Sequence, residues 1–447
     1  MSSKEYINGM DSQPTTASIT SKGGGTFSNQ SKSSATTSNG GFTELPLPNP
    51  NAPHWKQKQF FLSTFRSGEN NWSFSIYERA YRNLKEAGIN LLENAFLGGS
   101  NMHRALQSAE TVGIQCLAQD GNTFSGIFEK YPPNDDSMML DIVRELNQYK
   151  TLEGYYVWDE PEEQNLEKFK SVCSFFKRTD PARLVFMAFL PSYSKYNWSS
   201  NHANWENDPY MRYIENFLEA DLDVVSFDYY PFFNSIVSIN ESYLWRDMGY
   251  LRKRALELNK PFWYYFQAVP LNTGLANLPI VNMKVQMYSA LAYGVSALSY
   301  FHALNDVIVD NVGNKASRFN DIKAMNQEVV NLGNFLFGKT SSKLYHTGVS
   351  ADKIVGYFID SLAADDLIQS LPNGVIAGVF TDCSTMKYLV IANKNFTGTL
   401  TGTLALKSAK KVSSYNKTTN TNFLVSARIQ NVPLNIPAGD CSVFVIE

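Results

Sequence analysis

From Lys56 onward, short apolar runs alternate with longer segments whose apolar residues recur at helical spacing. The apolar runs predict strands at QFFLSTF around Phe61, INLLENAF after Gly88, IQCLAQD after Gly113, GYYVWDE after Glu153 and RLVFMAFL after Ala182. Three more follow at DVVSFDYYPF after Leu222, PFWYYFQAV after Lys260 and VSALSYFHA after Gly294. Amphipathic segments such as SFSIYERAYRNLKEAG, MLDIVRELNQYK, NLEKFKSVCSFFKR, MRYIENFLEA and YLRKRALELN lie between them and predict helices. Strands that are apolar on both faces suit a parallel sheet covered by helices. Eight such βα units over roughly 280 residues have the length of a (β/α)8 TIM barrel, so the barrel is expected over residues 56–338. An open doubly wound sheet is the alternative. It is disfavoured because Arg66-Ser67-Gly68-Glu69 follows the first strand, with no Gly-rich phosphate loop.

The pattern changes after Gly338. GVIAGVF, KYLVIANKNF, TGTLALK, KVSSYN and CSVFVIE read as short strands between turn residues, predicting a small all-β sandwich over 339–447. Residues 1–55 contain a Ser/Thr/Gly-rich stretch from Thr15 to Gly41 that reads as a flexible tether. The start has no apolar signal-peptide core. The tether fits an exported protein that is extracellular, periplasmic or held at the cell surface; a cytoplasmic protein with a disordered tail is the alternative.

Composition narrows the class of partner. The net charge is −3 and no long basic run occurs, which speaks against nucleic acid and anionic membrane surfaces and favours a neutral substrate. No apolar run reaches the roughly 18 residues a membrane span would need. The four cysteines, Cys116, Cys173, Cys383 and Cys441, are widely spaced and read as buried small hydrophobes. The 24 Tyr, 29 Phe and 7 Trp are unusually many, and some are expected to line a site.

In a (β/α)8 barrel the chemistry sits where strands end. The polar residues that finish the predicted strands are Arg66, Glu93 with Asn94, Asp120, Asp159 with Glu160, Asp228 with Tyr229 and Tyr230, Gln267, and His302 with Asn305. Trp158-Asp159-Glu160-Pro161 is the sharpest of these signals: two carboxylates end the fourth strand and a proline fixes the turn after them. A buried carboxylic acid there could protonate a leaving oxygen. Alternatively these acids cap the following helix, whose first turn also holds Glu162 and Glu163. Tyr229, Tyr230 and Trp158 could offer flat apolar faces to sugar rings. Trp263 and Tyr265 read rather as core. Trp198, in the loop PSYSKYNWSSNHANWEND, reads as an exposed platform.

GYYVWDEP on the fourth strand and DVVSFDYYPF on the sixth resemble clan A glycoside hydrolases. The segment YGVSALSYFHALNDVIVDNVGNKASRFNDIKAMNQEV is similar to the eighth-strand region of beta-galactosidase-like barrels, and the tail ending NVPLNIPAGDCSVFVIE to their C-terminal sandwich. The resemblance implies a carbohydrate substrate, Glu160 as general acid/base and a glutamate nucleophile ending the seventh strand. There the chain departs from the pattern, because Gln267 occupies the nucleophile's place and an amide cannot form a glycosyl ester.

Three mechanistic readings stay open. Asp228 or Glu93 could be the second carboxylate, with retention expected at a separation of about 5–5.5 Å from Glu160 and inversion at about 6.5–9.5 Å. The substrate could supply its own nucleophile, or the barrel could bind carbohydrate without cleaving it. In each, Arg66, Asn94, Asp120, Asp159, Trp198, Tyr229, Tyr230, Gln267, His302 and Asn305 are the expected binding residues. No metal motif joins the five histidines, no G-x-S-x-G elbow is present, and no cofactor is called for.

Overall fold

The computed structural model describes residues 47–95, 97–119, 136–194, 208–232, 239, 243–271 and 277–447. Its first part is a parallel eight-stranded (β/α)8 barrel. The strands are β1 (Phe61–Arg66), β2 (Leu91–Leu92), β3 (Gln115–Ala118), β4 (Leu152–Asp159), β5 (Leu184–Ala188), β6 (Val225–Asp228), β7 (Phe262–Phe266) and β8 (Ala297–His302). One helix follows each: α1 (Phe74–Glu86), α2 (Ser100–Val112), α3 (Ser137–Asn147), α4 (Leu166–Thr179), α5 (Pro209–Leu218), α6 (Leu244–Glu257), α7 (Ile280–Tyr293) and α8 (Phe319–Leu336). Six of the eight strands fall inside the apolar runs that predict them; β1 runs one residue further, to Arg66, and β4 starts two residues earlier, at Leu152.

The strands pair in the order β5-β4-β3-β2-β1-β8-β7-β6. The ring closes where Phe189, just past β5, bridges to Phe227 of β6 and donates its N–H to the Ser226 carbonyl at 2.9 Å. Register fixes what shares a level: Arg66 pairs with His302, so both stand at the carboxyl-terminal mouth.

The barrel interior accounts for much of the aromatic content. Phe186 lies 5.0 Å from both Tyr156 and Trp263, and Phe61 lies 5.6 Å from Trp263. Phe65 meets Tyr156, Tyr265 and Phe301 at 5.9, 6.1 and 6.1 Å between ring centres. These rings fill the barrel, and Trp263 and Tyr265 pack within it. The floor is closed by the segment before β1. Trp55 donates to Glu153 at 2.6 Å, Gln115 donates to the same carboxylate at 2.5 Å, and Trp263 donates to Gln57 at 2.9 Å.

Helix α7 is apolar nearly all round and lacks the polar face that would announce it in sequence. It is buried on both sides, between the barrel and the second part of the chain. That part is an antiparallel sheet of β9 (Thr340–His346), β10 (Ile368–Ser370), β11 (Val375–Thr381), β12 (Lys387–Asn393), β13 (Leu400–Asn416), β14 (Thr421–Ile436) and β15 (Cys441–Ile446). Along the long β13, which β14 accompanies from end to end, register shifts turn the strand from one partner on its other edge to the next: β10 at Ala405 and Leu406, β15 at Val412 to Ser414. The sheet thus folds over a second core that includes Tyr345, Ile391, Leu404, Val432 and Phe444.

Gly378 on β11 is required at the joint with the barrel, since a Cβ there would lie 1.9 Å from the Ala292 carbonyl of α7. Cys116, Cys173 and Cys441 are buried as expected, but Cys383 is exposed in the turn between β11 and β12, where the chain leaves the core; all four are free thiols. Among the described residues no helix is long and apolar enough to cross a membrane.

Candidate active site

Strand β4 delivers its acids under constraint. Glu160 follows the strand with a φ of +49°, a conformation that side chains bearing a Cβ rarely adopt, and Pro161 comes next. Two contacts hold the turn: the Glu160 N–H donates to the Ala188 carbonyl at 3.1 Å, and the Tyr213 hydroxyl on α5 donates to the Pro161 carbonyl at 3.0 Å. Backbone strain of this kind persists where the surroundings impose it, and it collects at functional sites.

At the mouth the Glu160 carboxyl faces that of Asp228, which ends β6, near enough for their charges to interact, with Asp159 and Tyr230 beside them. Asp159, Glu160 and Asp228 are all buried. Burial first, then the charges of Glu160 and Asp159, hold Asp228 well above the usual carboxylate range. Two buried carboxyls that face each other do not readily both ionise, so the pair titrates as a unit.

Buried and half-buried phenols surround it. Tyr193 and Tyr230 both feel the charges of Asp228 and Glu160, and burial keeps their hydroxyls protonated and able to donate. Asp159 accepts from the Tyr156 hydroxyl at 2.8 Å. His302 is buried beside Arg66; burial first, then the Arg66 charge, lower its pKa to about 3, so the imidazole is neutral.

The other expected site residues divide by location. Glu93 lies one layer below the mouth, wholly buried, accepting from Ser63 and Ser299 at 2.7 Å each and from the Tyr265 hydroxyl. Burial pushes its carboxyl up to about 7 against these three donors. Asn94 spends its amide on scaffolding: its oxygen accepts from Ser67 and Tyr81, and its nitrogen donates to the Leu117 carbonyl. Gln267 is similarly occupied. Its oxygen accepts from the Phe232 N–H at 2.8 Å, and its nitrogen donates to the Phe232 and Val269 carbonyls. In the seventh-strand position it therefore ties two loops together.

Arg66 pairs with Glu69 at 2.6 Å. Tyr230 faces the acids and packs on Phe301 at 4.7 Å, whereas Tyr229 turns toward Asp247, Arg246 and Tyr243. Asn305 sits in the loop after β8 at a φ of +56°. Asp120 and Trp198 lie outside the described residues.

Sequence reasoning missed Tyr193, Tyr156 and Tyr213. Tyr193 carries no motif; its loop is fixed by a buried ion cluster in which Arg246 contacts Asp208 and Asp247 while Asp247 accepts from the Ser192 N–H. Tyr156 has a faint signal, because a register shift between Tyr156 and Trp158 alters strand alternation just before the acids.

No family profile matches the chain, and no curated protein matches it. Solved structures do. A β-glucuronidase from Ruminococcus gnavus is 16% identical over 60% of this chain and 49% of its own, with a TM-score of 0.44. An Anoxybacillus α-amylase is 10% identical over 87% of this chain and 96% of its own, with a TM-score of 0.44. A Lactobacillus rhamnosus β-glucuronidase is 11% identical over 60% and 49%, with a TM-score of 0.40. These structural neighbours are glycoside hydrolases, and the chain spans about half the length of the β-glucuronidases it matches.

Proposed function

We propose that the protein is a glycoside hydrolase in which Glu160 and Asp228 act as one acid/base unit. The observation that carries this reading is the burial of Glu160, Asp228 and Asp159 together at the carboxyl-terminal mouth of the barrel, where their charges oppose one another. A shared proton held above the usual carboxylate range is available at neutral pH to protonate a departing glycosidic oxygen as its C–O bond breaks. The pair then recovers a proton from the water that completes hydrolysis. Tyr193 and Tyr230 are placed to hold sugar hydroxyls around it.

The coupling of the two carboxyls bears on the mechanism: acids that oppose each other's charge favour joint proton transfer by Glu160 and Asp228, with attack by water or by a group of the substrate. Glu93, enclosed by three donors below the mouth, is a positioning residue in this reading.

A second reading has its own support. Because the Gln267 amide is committed to the backbone in the seventh-strand position, the barrel could bind glycans without cleaving them.

One experiment separates the two. Wild type, Glu160→Gln and Asp228→Asn are assayed on a panel of aryl glycosides and oligosaccharides, with product anomers followed by NMR and binding by calorimetry. Cleavage by wild type that is lost in both variants supports the hydrolase. Binding by all three proteins with no cleavage by any overturns it in favour of the binding barrel.

A further inference from the structure

Where the barrel floor meets the second sheet, a cleft of about 640 Å³ opens between the segment before β1, the end of α6 and the start of β9. That volume falls within the range of about 300–1,000 Å³ common to small-molecule sites. Trp55, Phe337 and Phe380 give the cleft apolar wall. Its charged lining is one-sided: Lys56, Arg252, Lys260 and Lys339 stand against a single carboxylate, Asp223. On a chain whose net charge is −3, this excess of cations is local.

Three of the five charges are committed to the fold. Asp223 pairs with Lys177 and accepts from the Val185 N–H at 2.8 Å. Lys260 pairs with Asp221 at 2.8 Å. Lys339 donates to the Phe335 carbonyl at the end of α8 at 2.6 Å, lies over the Phe335 and Tyr388 rings, and has the charge of Asp382 nearby. Lys56 and Arg252 are not committed in this way. Lys56 is exposed and forms no ion pair among the described residues.

Arg252, on α6, is only 7% exposed. Its Nε donates to the Ser341 hydroxyl at 3.0 Å and its Nη2 to the Ser341 carbonyl at 2.8 Å, both neutral acceptors, while Nη1 has no acceptor among the described residues. Asp360 is the carboxylate whose charge reaches it, but Asp360 makes no ion pair with it and accepts instead from the Leu344 N–H at 2.8 Å. Buried charges are costly unless an opposite charge meets them. A guanidinium buried against a serine in the wall of a cleft is half of such a pair. The serine is itself fixed: Gly294 ends α7 at a φ of +91°, and a Cβ there would lie 2.6 Å from that of Ser341. One edge of the guanidinium is therefore anchored, and the other is left for an acceptor.

We propose that this cleft is a second binding site, at the opposite end of the barrel from the acids, for a small phosphate monoester whose phosphate is taken by the free edge of Arg252 with Lys56 at the rim. Two uncommitted cations favour a dianion over a single carboxylate, with the guanidinium giving directed hydrogen bonds and the lysine a point charge. The apolar wall takes the organic part. The mouth, lined by Asp159, Glu160 and Asp228, repels the same ligand. An occupant joins the segment before β1 to α6 and β9, so it stabilises the junction of barrel and sheet.

The test follows binding and not turnover, and so stands apart from the reading of the mouth. Calorimetric titration of the full chain at about pH 8, where a phosphate monoester carries close to two negative charges, uses phenyl phosphate, inorganic phosphate and benzoate as probes. Phenyl phosphate is expected to bind, inorganic phosphate more weakly for want of the ring, and benzoate several-fold more weakly than phenyl phosphate because it carries one charge. Arg252→Gln should weaken phenyl phosphate by about tenfold or more, the effect of losing a charge-assisted hydrogen bond. Lys56→Gln, at an exposed position where folding is not at stake, should weaken it by roughly a few-fold, and Lys56→Glu by more; these two variants decide the matter if Arg252→Gln does not fold. Glu160→Gln should leave the affinity unchanged, whereas a ligand seated at the mouth would bind more tightly once that acid is gone. No binding of phenyl phosphate, benzoate binding as tightly, an affinity indifferent to the Arg252 and Lys56 variants, or one that rises in Glu160→Gln would each overturn the proposal.

Discussion

At the amino-terminal end of the barrel, Glu153 is half-buried among donors: burial raises its pKa, but Trp55 and Gln115 each occupy one of its oxygens, and Trp55, Arg183 and Lys58 favour its charge. At the carboxyl-terminal end, Glu160, Asp228 and Asp159 are buried against one another, and charge opposes charge. The same residue types thus serve opposite purposes 7 positions apart along β4, since Glu153 lies near its start and Glu160 just past its end. An acid matched by donors closes the floor and stabilises the fold. Acids set against acids hold a proton that a solvated carboxylate would release, at a cost to stability that only a function explains. The floor also borders a cleft of about 640 Å³ lined by Trp55, Gln57, Lys260 and Ser296, yet no comparable confrontation of acids lines it among the described residues.

The sharpest way to break this contrast is to remove one acid from each end. Glu160→Gln is expected to lower kcat/KM on a cleaved glycoside by about 10²–10⁴-fold, the usual range for general acid/base groups. Its melting temperature should hold or rise, because a like charge has left a buried cluster. A fall in melting temperature with activity retained would place Glu160 among the structural acids.

The pH dependence of stability sharpens the contrast in a different way. A carboxyl whose pKa is raised by folding binds its proton more tightly in the native state. Its penalty is absent while both states are protonated, grows as pH rises past the unfolded pKa, and is complete above the folded one. For Glu93 the window runs from about 4.5 to about 7. At about 1.4 kcal/mol per unit, that gap corresponds to roughly 3 kcal/mol lost as pH rises. Denaturant melts of wild type should therefore show falling stability across this window, and Glu93→Gln should flatten that part of the slope. Asp228→Asn should flatten a further part that begins near pH 4. An unchanged slope in both variants would mean that neither acid is held protonated.

Much of this was legible in the sequence, and the reason differs by region. The eight strands could be read because a strand buried on both faces writes a continuous apolar run, and Trp158-Asp159-Glu160-Pro161 stood out because that run ends in acids. Helix α7 hid for the complementary reason: packed between barrel and sheet, it has no polar face. The phenols that serve the buried acids could not be read either. Tyr156 and Tyr265 look like core aromatics, and they are core aromatics; only their hydroxyls, which donate to Asp159 and to Glu93, tie them to the acids. Gln267 was visible as a departure from the expected nucleophile, but its bonds to Phe232 and Val269 depend on loops that no local pattern describes.

At the floor, Glu153→Ala should strand two partly buried donors, Trp55 Nε1 and Gln115 Nε2. Leaving such groups unpaired costs about 1–3 kcal/mol. Chemical denaturation should show that loss, while turnover per folded molecule stays near wild type. A large fall in kcat would mean that the floor is coupled to the mouth and that the two ends are not independent.

The smallest expected effect tests the contrast with matched phenols. Tyr213 bonds the Pro161 carbonyl at the mouth and receives the Leu190 N–H at 3.2 Å, whereas Tyr155 bonds Asp180 at 2.8 Å at the floor end and stacks on Phe176. Replacing either by Phe keeps the ring and deletes a buried hydroxyl, so each should lose a similar amount of stability, about 1–2 kcal/mol. Only Tyr213→Phe frees the turn that holds Glu160 at its positive φ. Catalysis depends on that placement and stability does not, so Tyr213→Phe should lower kcat by about tenfold, or 1.4 kcal/mol, with KM nearly unchanged, while Tyr155→Phe leaves both constants alone. Equal kinetics in the two variants would show that the strained turn is a feature of the fold and not of the chemistry.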